Sequence, residues 1–550
     1  VRKLGSRFGV VVVLALDLVF GQTAMAGQSC ASLADLAGPQ LRVSRVEDIS
    51  AGQLPADNPG RAALTGAARV RAALPAHCLV EGMISPRPGL DGAGTGIGFQ
   101  LRLPQPWNGR FLFQGGGGMD GVVSDAVGAI PISGATALPA LDRGYAVVST
   151  DSGHQGKDSS DAAFGTDQQA RLDYAYAAIG PVTDTAKAMI AAYYGHAPDH
   201  SYYMGCSNGG RTALMAVQRF PDSFDGVVAG DPGFRLSRAA IAQAWDVNAL
   251  NRAAPRDADG QPILAAALTP ADLRVVTEAV LSQCDALDGL ADGSVDAPSA
   301  CHFDPGMLLC KAGQSAACLP QAKLDALRAV FGGAHDSKGH TLYSDWPWDA
   351  GLSAPGWRAW KLGTAPNGQA NARNATLTPG SLGLYFMTPP VPGLKLADVD
   401  FDRAAEQTAQ TAAINDPVAT LVSSYVAHGG KLIVFQGNSD PVFSANDLAA
   451  YWRTLAADNG GAAALAGWAR LFTVPGMTHC GGGPALDDFD PLAAIETWVE
   501  SGRAPDALLA RGAAFPGRTR KLCPFPTEPH YDGVGDTQDP ASFACQAPAQ

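Results

Sequence analysis

Lysine and arginine form no extended run anywhere in this chain, and their 39 side chains are outnumbered by 52 acidic ones, for a formal net charge of −13. That distribution leaves no basic footprint for nucleic acid, which is excluded as a partner. No C-x-x-C pair occurs among the 10 cysteines, an absence that argues against zinc-thiolate chemistry. An even cysteine count in a chain of 550 residues points instead to an oxidising compartment. Past the N-terminus no segment approaches the ~20 consecutive apolar residues of a transmembrane helix, so no membrane partner is expected. No internal repeat is visible either.

What the chain does contain begins with an export pattern. Arg2, Lys3 and Arg7 precede the apolar run 10–16, and Ala24-Met25-Ala26 offers an A-x-A cleavage site. Asp17 interrupts the apolar stretch. The reading is a signal peptide over 1–26 and a secreted or periplasmic mature protein. Its removal takes away three positive charges and one negative, shifting the formal charge from −13 to −15. At 46% hydrophobic residues, the remainder is able to bury a large core.

Short runs rich in Val, Tyr and Phe at 110–114, 145–150, 201–205, 226–229 and 431–435 read as strands. Helical patterns at 181–194 and 210–219 lie among them, and further ones follow at 446–457 and 491–501. This alternation predicts an α/β fold with a mostly parallel, doubly covered sheet. From about Asp231 the pattern stops, giving way to Ala-rich helical segments, local cysteines and Trp-, Pro- and Gly-rich loops. The simplest organisation is a core in two parts, 27–230 and 421–550, with a lid-like domain inserted at 231–420. A loop that long without its own structure is improbable.

Within Gly205-Cys206-Ser207-Asn208-Gly209 the chain has a G-x-S-x-G nucleophile elbow. In this element a sharp strand-to-helix turn lifts the serine hydroxyl out of the sheet. His479 lies in Gly476-Met477-Thr478-His479-Cys480. Both Ser207 and His479 thus have a cysteine as neighbour. A bond between Cys206 and Cys480 would need Cα atoms within about 4.4–6.8 Å, which would bring serine and histidine within side-chain reach. Serine-based hydrolysis also needs a carboxylate to orient the histidine, in the chain order Ser, acid, His. Asp440, just past the strand at 431–435, fits that place. For an oxyanion hole the N–H of Asn208 and those of Gly116 and Gly117, in the glycine run after 110–114, are the candidates. No Walker lysine follows that run, which weakens a phosphate-binding reading.

These residues resemble the tannase and feruloyl esterase family of α/β-hydrolases, across nearly the whole mature chain. The likeness is carried by Gly205-Cys206-Ser207-Asn208-Gly209-Gly210-Arg211, Ser439-Asp440-Pro441 and Val474-Pro475-Gly476-Met477-Thr478-His479-Cys480. It is carried also by Cys284-Asp285-Ala286-Leu287-Asp288-Gly289 and Cys301-His302-Phe303-Asp304-Pro305. It extends to relatives that hydrolyse mono(2-hydroxyethyl) terephthalate, through Ser439-Asp440-Pro441-Val442-Phe443-Ser444. The resemblance implies an α/β-hydrolase core, a large inserted lid domain, and a Cys206–Cys480 disulfide. It further implies the pairs Cys284–Cys301, Cys310–Cys318, Cys30–Cys78 and Cys523–Cys545, the last stapling a C-terminal tail. One departure stands out: many relatives carry His-Gly where this chain has Gln436-Gly437, which bears on substrate preference.

Asp285, Asp288 and Asp292 crowd one short Gly-containing loop. By themselves they fit either a solvated acidic turn or a calcium site built from hard oxygen ligands. The resemblance implies structural Ca2+ here, held by those aspartates and by carbonyls at Leu290 and Ser294. For substrate contact, Phe443 matches a pocket position of relatives, while Trp357, Trp360, Arg373, Tyr385 and Phe386 are candidates in the insertion. Arg373 would pair with an aromatic carboxylate. The expected activity is a serine carboxylesterase acting on small aromatic esters of the feruloyl type. Terephthalate monoesters and galloyl esters are alternatives, and a calcium-stabilised, non-catalytic binding protein is the rival from another class. Such an enzyme is expected to work as a monomer or weak homo-oligomer.

Overall fold

The computed structural model describes residues 29–52, 67–90, 92, 94–314 and 316–548. The signal peptide expected over 1–26 lies outside them. Nine strands form the central sheet: β1 (Leu41–Ile49), β2 (His77–Pro88), β3 (Gly94–Pro104), β4 (Arg110–Gln114), β5 (Ala146–Thr150), β6 (His200–Cys206), β7 (Gly226–Gly230), β8 (Lys431–Gly437) and β9 (Ala469–Val474). Their spatial order is β1-β2-β3-β5-β4-β6-β7-β8-β9. The first three strands are antiparallel to their neighbours, whereas β5-β4-β6-β7-β8-β9 run parallel.

The parallel strands are apolar on both faces because helices cover both. Phe111, Phe113, Tyr203 and Val227 point into one core. Their chain neighbours Leu112, Tyr202, Met204 and Val228 point into the opposite one. This is the period-2 alternation of a strand with no wet side. Register then decides where the chemistry gathers. Cys206 pairs with Gly230 and Gly230 with Phe435, so β6, β7 and β8 end level with one another. The segments that follow them emerge at one edge, as expected of open α/β sheets.

Between β7 and β8 no segment among the described residues joins the sheet. The chain instead builds helices, among them Leu236–Ala253, Pro270–Cys284, Gln321–Phe331, Arg373–Gly380 and Phe401–Asn415. They enclose a core that includes Ile241, Leu250, Leu273, Val276, Leu327 and Tyr385 and is shared with Met119, Tyr174, Val442 and Phe443 from the segments around the sheet. Local signals start them: Thr269 caps Pro270–Cys284 in a reciprocal capping box with Asp272, and Pro270 occupies the first turn. Lys361 and Asp246 form an ion pair at 2.5 Å inside this unit, 1% and 2% exposed. All ten cysteines are bonded, in the five pairs that the resemblance implied. Among the described residues no helix is long and apolar enough to cross a membrane.

Candidate active site

Ser207 follows β6 and precedes the helix Asn208–Arg219, with φ 61° and ψ −122°. A non-glycine residue in that region is strained, and the turn holds it there. Its N–H donates to the Gly230 carbonyl at 3.0 Å, and its carbonyl accepts from Arg211 N–H at 2.9 Å. Close approach explains the flanking glycines. A Cβ on Gly205 would lie 2.7 Å from the Gly209 carbonyl carbon, and one on Gly209 would lie 2.6 Å from the Gly116 oxygen. The glycine run after β4 therefore rests directly against the turn at Ser207. The N–H of Gly117 is directed at the Asp120 carboxylate, and no backbone–backbone hydrogen bond among the described residues uses the N–H of Gly116.

The Cys206–Cys480 bond spans 274 residues and sets the two Cα atoms 6.1 Å apart. It draws the His479 loop, which follows β9, onto the serine turn. His479 Nδ1 meets Asp440 Oδ2 at 2.8 Å, with the histidine side chain 2% exposed. Its other nitrogen, Nε2, is buried and has no hydrogen-bond partner among the described residues. Asp440 is fixed from several sides. Its Oδ1 accepts the N–H groups of Val442 at 2.7 Å and Phe443 at 3.3 Å, and its Oδ2 also accepts Gln436 Nε2 at 3.1 Å. Burial, the largest single influence, acts to lower the His479 pKa, but the Asp440 and Asp231 carboxylates together outweigh it and the net direction is upward from 6.5. The imidazole is thus held in one orientation through Nδ1, with Nε2 unbonded.

Gln436, where many relatives carry histidine, is fully buried beneath this assembly. Its amide donates to Asp440 and, at 3.1 Å, to the Phe443 carbonyl. It shapes the acid turn from below. The rings of Trp360 and Phe443 both stand edge-to-face against His479, at centroid distances of 5.4 and 5.3 Å. The Arg373 guanidinium lies over Trp360 at 5.1 Å. These three expected pocket residues therefore gather at the histidine. Tyr385 and Phe386 do not: both are buried in the core of the insertion, and the Tyr385 hydroxyl bonds to Asn415 at 3.0 Å. Trp357 is likewise core, near Lys361.

Three buried aspartates were not anticipated from the sequence. Asp120 Oδ1 accepts Asn208 Nδ2 at 2.7 Å, and Asn208 in turn accepts Arg211 Nε at 2.7 Å, which fixes the start of the helix after Ser207. Asp349, from the insertion, accepts Ser439 Oγ at 2.6 Å and Gly476 N–H at 2.7 Å, tying the acid and histidine segments to the insertion. Asp231, directly after β7, lies among Cys206, Cys480, Asp440 and His479. The one sequence signal for Asp231 is its place at a strand end. Asp120 and Asp349 sit in loops with nothing to mark them.

Two buried groups bring possible metal-ligand atoms within 4.8 Å of one another: Cys206, Asp231 and Cys480, and Asp231, Asp440 and His479. In the first, both sulfurs are spent on their disulfide. The acidic loop of the insertion is a separate place. Asp285 accepts backbone N–H groups of Asp292, Gly293 and Ser294. Asp288 Oδ2 and Asp292 Oδ1 are buried without a hydrogen-bond partner among the described residues. Asp296, 6% exposed, adds a fourth carboxylate close by, and Asp292 also pairs with Arg518 and Arg520.

Comparison with known proteins agrees with this geometry. The sequence profile of "Tannase and feruloyl esterase" proteins matches residues 78–546. The chain is 41% identical over 523 residues to the mono(2-hydroxyethyl) terephthalate hydrolase of Piscinibacter sakaiensis, covering 87% of this chain and 86% of that one. It is 28% identical over 475 residues to feruloyl esterase C of Talaromyces stipitatus, with 82% of each covered. The crystal structure of feruloyl esterase B from Aspergillus oryzae superposes with a TM-score of 0.77 at 25% identity, covering 94% of this chain and 99% of that one. The protein belongs to the tannase and feruloyl esterase family, a family of carboxylic ester hydrolases on an α/β-hydrolase fold.

Proposed function

We propose that the protein is an exported serine carboxylesterase that cleaves esters of aromatic acids through an acyl-enzyme. The observation that carries this reading is His479, held at Nδ1 by Asp440 and open at Nε2, on a loop bonded to the residue before Ser207. As Ser207 Oγ bonds to the ester carbon, His479 Nε2 takes its proton, and the carbonyl electron pair moves onto oxygen. The N–H groups of Asn208 and Gly116 receive that oxyanion, while the N–H of Gly117 holds the buried Asp120 carboxylate beside them. Collapse breaks the ester C–O bond, and His479 protonates the departing alcohol. Water, deprotonated by the same nitrogen, then releases the acid.

Trp360 and Phe443 supply flat apolar walls beside His479, which suits an aromatic acyl group. A feruloyl-type ester is the leading substrate. Arg373 over Trp360, together with the 41% identical relative, favours a second reading in which a free aromatic carboxylate pairs with that arginine, as in a terephthalate monoester. Galloyl esters are the third member of the set. Rates on methyl ferulate, methyl gallate and mono(2-hydroxyethyl) terephthalate rank the three. Ser207→Ala is expected to lower kcat at least ~10⁴-fold, and a fluorophosphonate should label wild type at Ser207. Full activity without Ser207 defeats the proposal.

The acidic loop is read as a structural calcium site formed by Asp285, Asp288 and Asp292 with the carbonyls of Leu290 and Ser294. The partnerless buried oxygens of Asp288 and Asp292 support this reading, since hard anionic donors of that kind suit Ca2+. Bound there, the ion would neutralise the crowded carboxylates and stabilise the insertion.

A further inference from the structure

Asp231 has no role in the three-residue scheme above, yet it occupies the centre of the assembly. Gly230 pairs with Cys206 on one side and Phe435 on the other, so the next residue stands between the serine turn and the acid turn. Its backbone takes a positive φ of 34°, held by an N–H bond to the Phe435 carbonyl at 2.8 Å. Its side chain is fully buried. Oδ1 accepts the N–H of Gly437, at 2.7 Å, and Oδ2 accepts the N–H of Cys480, at 2.5 Å. One carboxylate thus grips the chain three residues before Asp440 and one residue after His479.

A neutral acceptor would tie two loops together as well, and a second buried carboxylate beside the first is costly. Burial and the neighbouring Asp440 push the Asp231 carboxyl up to about 7, against the pull of His479 and the two N–H donors. The charge is compensated when a cation forms next to it, and the imidazolium created as Ser207 loses its proton is such a cation. Possible ligand atoms of Asp231, Asp440 and His479 lie within 4.8 Å of one another. His479 is faced by Asp440 from the turn after β8, by Asp231 from the end of β7 and by Arg373 from the insertion; the two carboxylates favour its protonated form and the arginine opposes it.

We propose that Asp231 is a positioning residue for the hydrolysis, holding the acid turn and the histidine loop in register and placing a second negative charge beside the imidazolium. This rests on the Ser207–His479–Asp440 reading. The test is Asp231→Asn in the full chain, assayed with 4-nitrophenyl acetate across pH, folding being checked by near-UV circular dichroism. The expected result is a ~10- to 100-fold lower kcat with KM within about twofold. The acid limb of the kcat/KM profile should also move down, by less than one pH unit because the Asp231 carboxyl is itself partly protonated near pH 7, since removing an anion makes His479 easier to deprotonate. A merely structural tie lowers kcat and leaves that limb in place. Asparagine sets an amide opposite the Cys480 N–H, so Asp231→Ser, which removes the charge without a new amide donor, provides the same readout if the first variant does not fold. An unmoved acid limb in the folded variants, or wild-type kcat, overturns the inference. Ser207→Ala separates the two levels: its activity defeats the triad itself, whereas its inactivity beside an unaffected Asp231 variant defeats the Asp231 role alone.

Discussion

Replacing both Cys206 and Cys480 by serine removes the covalent link between the Ser207 turn and the His479 loop. With the pair 274 residues apart, the chain-entropy relation assigns the bond about 5–6 kcal/mol at 25 °C. The bridges Cys284–Cys301 and Cys310–Cys318 shorten the enclosed loop by 17 and 8 residues. Because the dependence is logarithmic, they lower that figure by only ~0.1 kcal/mol. Against typical domain stabilities of about 5–15 kcal/mol the loss is large. Urea unfolding of the double variant should therefore show a strongly reduced midpoint. A separate effect is expected in the part that remains folded. With the 6.1 Å Cα spacing no longer imposed, Ser207 and His479 lose their fixed approach, and kcat per folded molecule should drop ~10- to 100-fold. Unfolding within ~1 kcal/mol of wild type would refute the entropic estimate. Wild-type kcat would refute the geometric role and leave the bond as a stability device.

Because the Asp440 and Asp231 carboxylates raise the His479 pKa above 6.5, and Nε2 must be unprotonated to act as base, kcat/KM should fall as pH decreases toward and below the raised value; a flat profile from pH 5 to 8 contradicts it. Lys361→Met leaves the buried Asp246 carboxylate without its cation, and removing one member of such a pair costs about 3–5 kcal/mol, to be seen as a lowered thermal midpoint. Chelation with EDTA should destabilise the protein by about 3 kcal/mol when free Ca2+ had stood near 100 times its Kd. Added Ca2+, more than Mg2+, should restore it. An unchanged melting curve on chelation removes the calcium reading.

The core strands and the helices beside them could be read from the chain because each is a short, doubly buried apolar run bounded by turn residues. The strand expected at 110–114 forms as Arg110–Gln114, and the helix expected at 491–501 forms as Pro491–Ser501. Not read from the chain were β1, whose residues are all exposed or half-buried, β2 and β3, where charged residues such as Glu81, Arg87 and Arg102 and several glycines break the apolar run, and β9, a short six-residue segment. Ser207, His479 and Asp440 stood out because their surroundings combine strand ends, glycines and cysteines. Asp231 and Asp349 did not, since each gains its meaning from partners more than 80 residues away. A Gly-Asp-Pro at a strand end looks like any turn until register sets it against Gly437 and Cys480. Gln436 was legible as a departure from relatives, but its position beneath Asp440 needed the fold.

The bond from residue 206 to residue 480 closes a covalent ring around the whole insertion. During synthesis Ser207 is made hundreds of residues before His479, so on the proposed reading a growing chain carries an inert serine until the ring can shut. Once shut, the ring also changes what a single cut means. Cleavage in an exposed turn such as 258–260 opens the circle yet leaves both fragments tethered beside the reacting groups. Such a nicked molecule should migrate as one species without reductant and as two with it.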